Sequence, residues 1–311
     1  MYTRREFGQL TLAGLSLPFM GALTDSRVGG VRLGVQTYSF RDLPRPDAGD
    51  AIDVVIQAMK TCGLSECELF APQVEPRGAA GGGGGRRGEV TPEVQQARQK
   101  ARENLRAWRV GTPLDHFRGI RKKFDAAGIA VYAYNYSFNA DMTDEEIDRG
   151  FEMTRALGAE IITASTNLTV ARRVVPFAEK HKMIVAMHGH SNRSDPNEFC
   201  TPDSFAAAMR LSKYFKVNLD IGHFTAADFD PIAYIREHHA DITNLHLKDR
   251  KKHEGDNVPW GQGETPIREV LLMLKQERWP IRAYIEYEYR GAASSTEEVR
   301  KCFQFAKQIL A

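Results

Sequence analysis

The residues with the most chemistry in this sequence stand in its second half, at four places. These are Met187-His188-Gly189-His190-Ser191, Leu219-Asp220-Ile221-Gly222-His223-Phe224, Leu245-His246-Leu247-Lys248-Asp249 and Ile285-Glu286-Tyr287-Glu288-Tyr289. Each closes a short apolar run. A lone histidine at such a point is most often a loop hydrogen-bonder, and a lone carboxylate is often the cap of a following helix. Four successive runs with the same habit point instead to one shared site. Imidazole and carboxylate together suit a divalent cation such as Mn2+, Zn2+, Fe2+, Co2+ or Mg2+. Glu286 and Glu288 are two apart, so on a strand they share a face. Two carboxylates pressed against helices would be very costly without partners. Both are therefore expected to point inward, one deeper and one at the rim.

The elements that must position these residues alternate. Runs rich in β-branched and aromatic residues occur at 31–37, 65–70, 129–135, 160–165, 183–188, 217–221, 242–247 and 282–288. Stretches of helical period lie between them, at 49–62, 115–127, 143–157, 168–181, 201–213, 230–239, 265–277 and 295–310. Gly128 and Gly158 are natural helix stops, and Thr143 with Glu146 forms a capping-box pattern. Strand–helix alternation builds a parallel sheet covered by helices. Eight repeats favour closure into a single (β/α)8 TIM barrel, whose sites form at the C-terminal ends of the strands. No G-x-G-x-x-G follows the first strand, so no nucleotide cofactor site is expected. A long connection from about 71 to 91 carries Gly81–Gly85 and Arg86-Arg87. It reads as a surface loop, or as a lid over the strand ends.

The 311 residues suit one barrel plus a leader, since such barrels need about 250. With 42 basic and 40 acidic residues the net charge is +2, which leaves no basic excess for a nucleic acid. Cys62, Cys67, Cys200 and Cys302 show no paired C-x-x-C framework and are expected to be free thiols. Thr3-Arg4-Arg5-Glu6-Phe7 precedes the mostly apolar stretch from Leu10 to Leu23. Twin arginines before a short apolar core read as a twin-arginine export signal over 1–28, with the barrel over 29–311. The apolar stretch is short for a membrane span, which needs about 20 residues. A periplasmic or secreted location follows, with no stable membrane span after export.

Residues 31–310 resemble the xylose isomerase-like sugar isomerase/epimerase superfamily, which also contains inosose dehydratase and endonuclease IV. Asp220-Ile221-Gly222-His223 looks like its D-T-G-H at strand six, and His246-Leu247-Lys248-Asp249 looks like its H-x-K-D at strand seven. The glutamate at strand eight follows in the right order. By this resemblance Asp220, His246 and one of Glu286 and Glu288 hold the metal. Glu288-Tyr289-Arg290 looks like the E-Y-K of hydroxypyruvate isomerases, which favours Glu288. His223 would bind substrate or support the ligands. Epimerases of the superfamily place a glutamate at strand five. This chain has His188 and His190 there, with Asp195 and Glu198 beyond, closer to the H-x-H of inosose dehydratase. His190 is then the expected fourth ligand and Glu198 the alternative.

The chemistry this implies is proton abstraction next to a carbonyl, with a divalent ion (Mn2+, Zn2+, Co2+ or Mg2+) stabilising the enediolate. Glu288, Glu286, His188, Lys248 and His223 are the candidate catalytic residues. Reprotonation gives a sugar isomerase or epimerase, and loss of a β-oxygen gives a lyase or dehydratase. Phosphorylated sugars are scarce outside the cytoplasm, so a free keto-sugar, a 3-keto-glycoside or an inosose-like substrate is expected. A sugar-binding barrel without catalysis is the remaining reading, and a homo-oligomer is in keeping with the superfamily's isomerases. The abasic-site endonuclease activity found in the superfamily needs a basic DNA-facing surface, which the balanced charge does not offer. Tyr38, Phe70, Tyr134, Tyr136 and Trp260 stand near strand ends, where they could stack on a sugar or simply fill the core.

Overall fold

The computed structural model describes residues 25–46, 49–76 and 91–311. The twin arginines and most of the leader, and the glycine run with Arg86 and Arg87, lie outside the described residues. Eight parallel strands form the centre: β1 (Val31–Gln36), β2 (Glu66–Phe70), β3 (Ala130–Asn135), β4 (Ile161–Ser165), β5 (Val185–His188), β6 (Phe215–Asp220), β7 (Ile242–Leu247) and β8 (Arg282–Ile285). Each pairs with the next, and β8 pairs with β1 through Ala283 opposite Leu33 and Ile285 opposite Val35. The sheet is therefore closed, a single (β/α)8 barrel as the eight repeats predicted.

The covering helices are α1 (Ile52–Cys62), α2 (Pro92–Gly111), α3 (Leu114–Ala126), α4 (Asp144–Ala156), α5 (Leu168–His181), α6 (Pro202–Met209), α7 (Ile221–Ala226), α8 (Pro231–His238), α9 (Ile267–Glu277) and α10 (Ser295–Leu310). The Thr143–Glu146 capping box forms at the start of α4. Gly128 and Gly158 take left-handed backbone (φ 69° and 73°) just beyond α3 and α4. Sequence periodicity did not mark α2 or α7. Only Leu105 and Arg109 of α2 are buried, so this helix has no apolar stripe to read. No described helix is long and apolar enough to cross a membrane. The four cysteines are free and buried.

Residues 26–28 belong to the barrel floor. Arg27–Val28 pairs antiparallel with β1, and the buried Ser26 hydroxyl donates to the Leu33 carbonyl at 2.6 Å. Gly34 marks the closest approach at the seam: a Cβ there would lie 2.5 Å from the Tyr284 ring and 2.6 Å from the Glu66 carbonyl oxygen. Between the strands the interior is polar near its C-terminal half. Gln36, Glu68, Asn135, Thr163, Asn218 and Asn244 are all buried there, where barrels of this type usually stack branched apolar side chains.

Candidate metal centre and active-site cleft

Four ends of adjacent strands converge. His188 ends β5, Asp220 ends β6, His246 lies in β7 with Asp220 as its cross-strand partner, and Glu286 follows β8 directly. One ligand-type atom from each lies within 4.8 Å of the other three. All four residues are at most 5% exposed.

Each is aimed by its other polar atom. The His188 Nδ1 contacts the Ser165 hydroxyl at 3.1 Å, which leaves Nε2 toward the cluster. Asp220 does two jobs. Its Oδ1 accepts from the His223 backbone N–H at 2.7 Å, capping α7, and its Oδ2 faces the cluster. The His246 Nε2 lies 2.8 Å from Glu68 Oε2, so Nδ1 faces Glu286 Oε2 at 3.0 Å. A histidine held through its far nitrogen by a carboxylate is the arrangement that fixes tautomer and ring orientation in metal ligands.

Glu68 is the hub beneath the cluster, and sequence reasoning missed it. Its Oε1 accepts from Gln36, Asn135 and Thr163 at 3.0, 3.1 and 2.7 Å. Its Oε2 accepts from Asn218 and Asn244 at 3.3 and 3.0 Å, besides His246. A signal did exist. Glu68 alternates with Cys67 and Leu69, Asn218 with Val217 and Leu219, and Asn244 with Leu245, all in buried strands. Polar residues at period two in such strands belong to the barrel interior.

Lys248, only 2% exposed, supplies the positive charge. Its Nζ lies 3.0 Å from Asp220 Oδ2, 2.9 Å from Glu286 Oε2 and 2.5 Å from Glu288 Oε2. Burial opposes charge on Asp220 and Glu286, yet Lys248 and the neighbouring histidines together outweigh it and hold both well below the usual carboxylate range. Burial likewise opposes charge on Lys248, and Asp220, Glu286 and Glu288 outweigh it to lift the ammonium far above its ordinary value. Burial and then His246 push His188 down, so it is neutral and fit to ligate. For His246 burial is overcome by Glu68 and Glu286, which hold its imidazole well above the histidine range. His223 is pushed well down by burial and by Lys248. Its Nε2 is 3.2 Å from Lys248 Nζ and its Nδ1 2.6 Å from an Arg250 nitrogen, with cations at both edges.

These residues fit a divalent ion. His188 Nε2, Asp220 Oδ2, His246 Nδ1 and Glu286 Oε2 are all buried and make no well-formed hydrogen bond, only close contacts with one another and with the Lys248 ammonium. They are the same four atoms that the strand ends bring together. Buried polar atoms normally have partners, and a cation would give all four one. Three carboxylates (Asp220, Glu286, Glu288) contact the one lysine and a fourth, Glu68, contacts His246, so negative charge remains to be neutralised. Two imidazole nitrogens with two carboxylate oxygens suit Zn2+, Mn2+, Fe2+ or Co2+ better than Mg2+, which prefers oxygen alone.

The other expected ligands lie elsewhere. Glu288 lines the cleft one step nearer solvent, its carboxylate on Lys248. The two glutamates do face the same way, and the deeper one joins the cluster. His190 and Glu198 pair with each other at 2.9 Å in the loop after β5, with side chains 36% and 21% exposed. That loop folds back so that the His190 N–H donates to the Phe199 carbonyl; the His190 ring stays in the cleft, its centroid 4.9 Å from that of His188, with Nδ1 turned to Glu198.

Above the cluster lies a cavity of about 260 Å3, lined by Tyr38, Phe70, Ser165, His190, His223 and Glu288 among others. That is just below the range of ligand pockets, which run from about 300 to 1,000 Å3. Of the aromatic candidates, Tyr38 and Phe70 face the cavity, edge to face with centroids 5.1 Å apart. Tyr134 and Tyr136 are fully buried and Trp260 packs on Phe305, so these three serve the core.

A closed barrel with four ligand-type residues at adjacent strand ends defines a recognisable class. The chain belongs to the xylose isomerase-like TIM barrel family, whose sequence model matches residues 110–309. Solved structures share the fold at low identity. A sugar phosphate isomerase/epimerase from Parabacteroides distasonis is 15% identical over 88% of this chain and 94% of its own, with a TM-score of 0.56. The probable 3-DHS dehydratase AsbF from Bacillus anthracis is 13% identical over 88% and 97%, with a TM-score of 0.59. The IolI protein, solved with a binding zinc atom, is 12% identical over 89% and 97%, with a TM-score of 0.60. No curated protein matches the chain significantly in sequence.

Proposed function

We propose that this protein is a divalent-metal-dependent sugar isomerase or epimerase that removes a proton next to the carbonyl of a non-phosphorylated keto-sugar. The observation that carries this reading is the set of four buried ligand-type atoms, none with a well-formed hydrogen bond, on four adjacent strand ends beneath a small polar cavity. His188, Asp220, His246 and Glu286 would hold the ion. Bound there, it would polarise the substrate carbonyl and stabilise enediolate charge. Glu288 is the base in this reading, because it is the carboxylate lining the cavity that is left outside the four. Lys248 orients Glu288, and its raised pKa makes it a fixed positive charge rather than a proton donor. His223, neutral and facing the cavity, binds a substrate hydroxyl or relays a proton.

A second reading is a metal-dependent lyase or hydratase acting on a 3-keto-glycoside or an inosose-like substrate. One observation favours it. Apart from Glu286, which joins the four, no described carboxylate besides Glu288 lines the cavity to return a proton, whereas His190 stands where a departing oxygen could be protonated.

The test is metal content and activity of the purified protein on a panel of free ketoses and 3-keto-glycosides, with products read by mass spectrometry. About one metal ion per chain and a new isomer of unchanged mass are expected. A product lighter by water, or a released aglycone, would transfer the assignment to the lyase. Absence of both metal and turnover would leave a sugar-binding barrel.

We also propose that the twin-arginine segment exports the folded chain, with processing upstream of Ser26, since Ser26 is built into the barrel floor. Replacing Arg4 and Arg5 with lysine should keep the protein in the cytoplasmic fraction on cell fractionation. An unchanged distribution would remove the export reading.

A further inference from the structure

The small cavity over the metal cluster is not the end of the cleft. A chamber of about 710 Å3 adjoins it, and Tyr38, Phe70, Asn135 and Ser137 line both. Together the two reach the upper end of the size range of ligand pockets. The outer chamber is walled by α2, whose Arg102, Leu105, Arg106 and Arg109 all line it. These positions recur at three- and four-residue steps, on one helix face. Asn139, Asp141 and Met142 line it as well.

The charges in this chamber are largely balanced. Arg102 pairs with Asp141, Arg106 with Glu146 at 2.9 Å, and Arg109 with Glu75 at 2.7 Å. Arg41, the fourth arginine of the lining, has no carboxylate partner among the described residues and is engaged by the Tyr287 carbonyl at 2.7 Å and the Tyr38 ring. Among the described residues a phosphate or sulfate would therefore find one such cation and not a cluster, so an anionic group is disfavoured. Glu75, which lines the chamber and is 1% exposed, uses its Oε1 for Arg109, while its Oε2 is buried without a hydrogen-bond partner. That oxygen needs a donor, and a ligand hydroxyl is one. Tyr38, with the Arg41 guanidinium 4.6 Å over its ring, and Phe70 give an aromatic wall at the junction of the two spaces. An aromatic wall, paired charges offering both donors and acceptors, and an unsatisfied carboxylate oxygen together suit a neutral, hydroxyl-rich ring.

We infer that the outer chamber is a second sugar subsite, so that the natural substrate is a keto-sugar carrying a further glycosidically linked sugar residue. The keto unit occupies the cavity over the metal cluster, and the second ring sits between α2 and Glu75. This rests on the sugar reading given above, and it concerns binding alone.

The test is calorimetric binding to the metal-loaded protein of D-fructose against the keto-disaccharides isomaltulose and lactulose. At least one disaccharide is expected to bind about tenfold tighter than fructose, a gain of about 1.4 kcal/mol. Leu105→Trp fills the chamber and should remove that gain while leaving fructose binding unchanged. If that variant melts early, Arg102→Ala, at the exposed rim, should cut the gain by about threefold instead, a loss of roughly 0.7 kcal/mol. Equal affinity for one ring and two, no binding of either, or a gain that survives both variants would overturn the subsite. Turnover is followed separately by NMR. A disaccharide preference without isomerisation would leave the subsite standing and count against the isomerase.

Discussion

Asp220→Ala should abolish metal binding and with it activity, while Asp220→Asn should separate the two jobs of this side chain. The alanine removes both the Oδ2 that faces the cluster and the Oδ1 that caps α7 through the His223 N–H. Loss of such a cap costs about 1 kcal/mol. Asparagine keeps an oxygen for the cap but removes the charge that Lys248 and a cation share. Metal affinity is expected to fall by more than about 100-fold in both variants, beyond the loss that outlying partners of a ligand produce. A thermal melt with and without added Mn2+ or Zn2+ reads this directly. A cation that binds only the folded chain adds about 2.7 kcal/mol when present at 100 times its Kd. Wild type should show that gain, and neither variant should show it at the same concentration. An unchanged metal-dependent shift in Asp220→Asn would mean that the ion is held elsewhere.

The second large effect belongs to Glu68, which touches no substrate in this reading and acts through His246. Glu68→Gln keeps the shape of the side chain but replaces one acceptor oxygen with an NH2 group. That group then meets donors that are already committed, three on the Oε1 side or Asn218, Asn244 and His246 on the Oε2 side. Each buried donor left unpaired costs about 1–3 kcal/mol. Stability in urea should fall accordingly, and His246 should lose the carboxylate that fixes its ring. Metal affinity should drop by about 10- to 100-fold, the range for losing such an orienting partner. The visible spectrum of the Co2+-loaded protein separates positioning from mere stability, since it reports the ligand geometry. An unaltered spectrum and an unaltered affinity in a destabilised variant would reduce Glu68 to a core residue.

Much of the site was legible in the sequence because strand periodicity is local. Eight apolar runs separated by helical stretches dictate a closed barrel through chain chemistry alone, since each parallel crossover must bury one face of the sheet. Asp220, His246, His188 and the Glu286/Glu288 pair were each traceable to a strand end. The two-residue spacing of the glutamates fixed their common face. The motifs Asp220-Ile221-Gly222-His223 and His246-Leu247-Lys248-Asp249 pointed to the family to which the chain belongs.

What the sequence could not supply was depth and distance. Which glutamate reaches the cluster depends on where β8 stops relative to β7. The register sets Tyr284 opposite His246 and Ile285 opposite Leu247, so Glu286 emerges level with the cluster and Glu288 one step further out. Glu68 joins His246 across 178 residues of chain, a contact with no local trace. The polar helix α2, with only two buried residues, became one wall of the cleft because packing against the β3–α4 region placed it there. Alternation along a strand is set by backbone stereochemistry and is written in the order of residues. Register between strands and the meeting of distant side chains are set by the closure of the barrel, and exist only once the chain has folded.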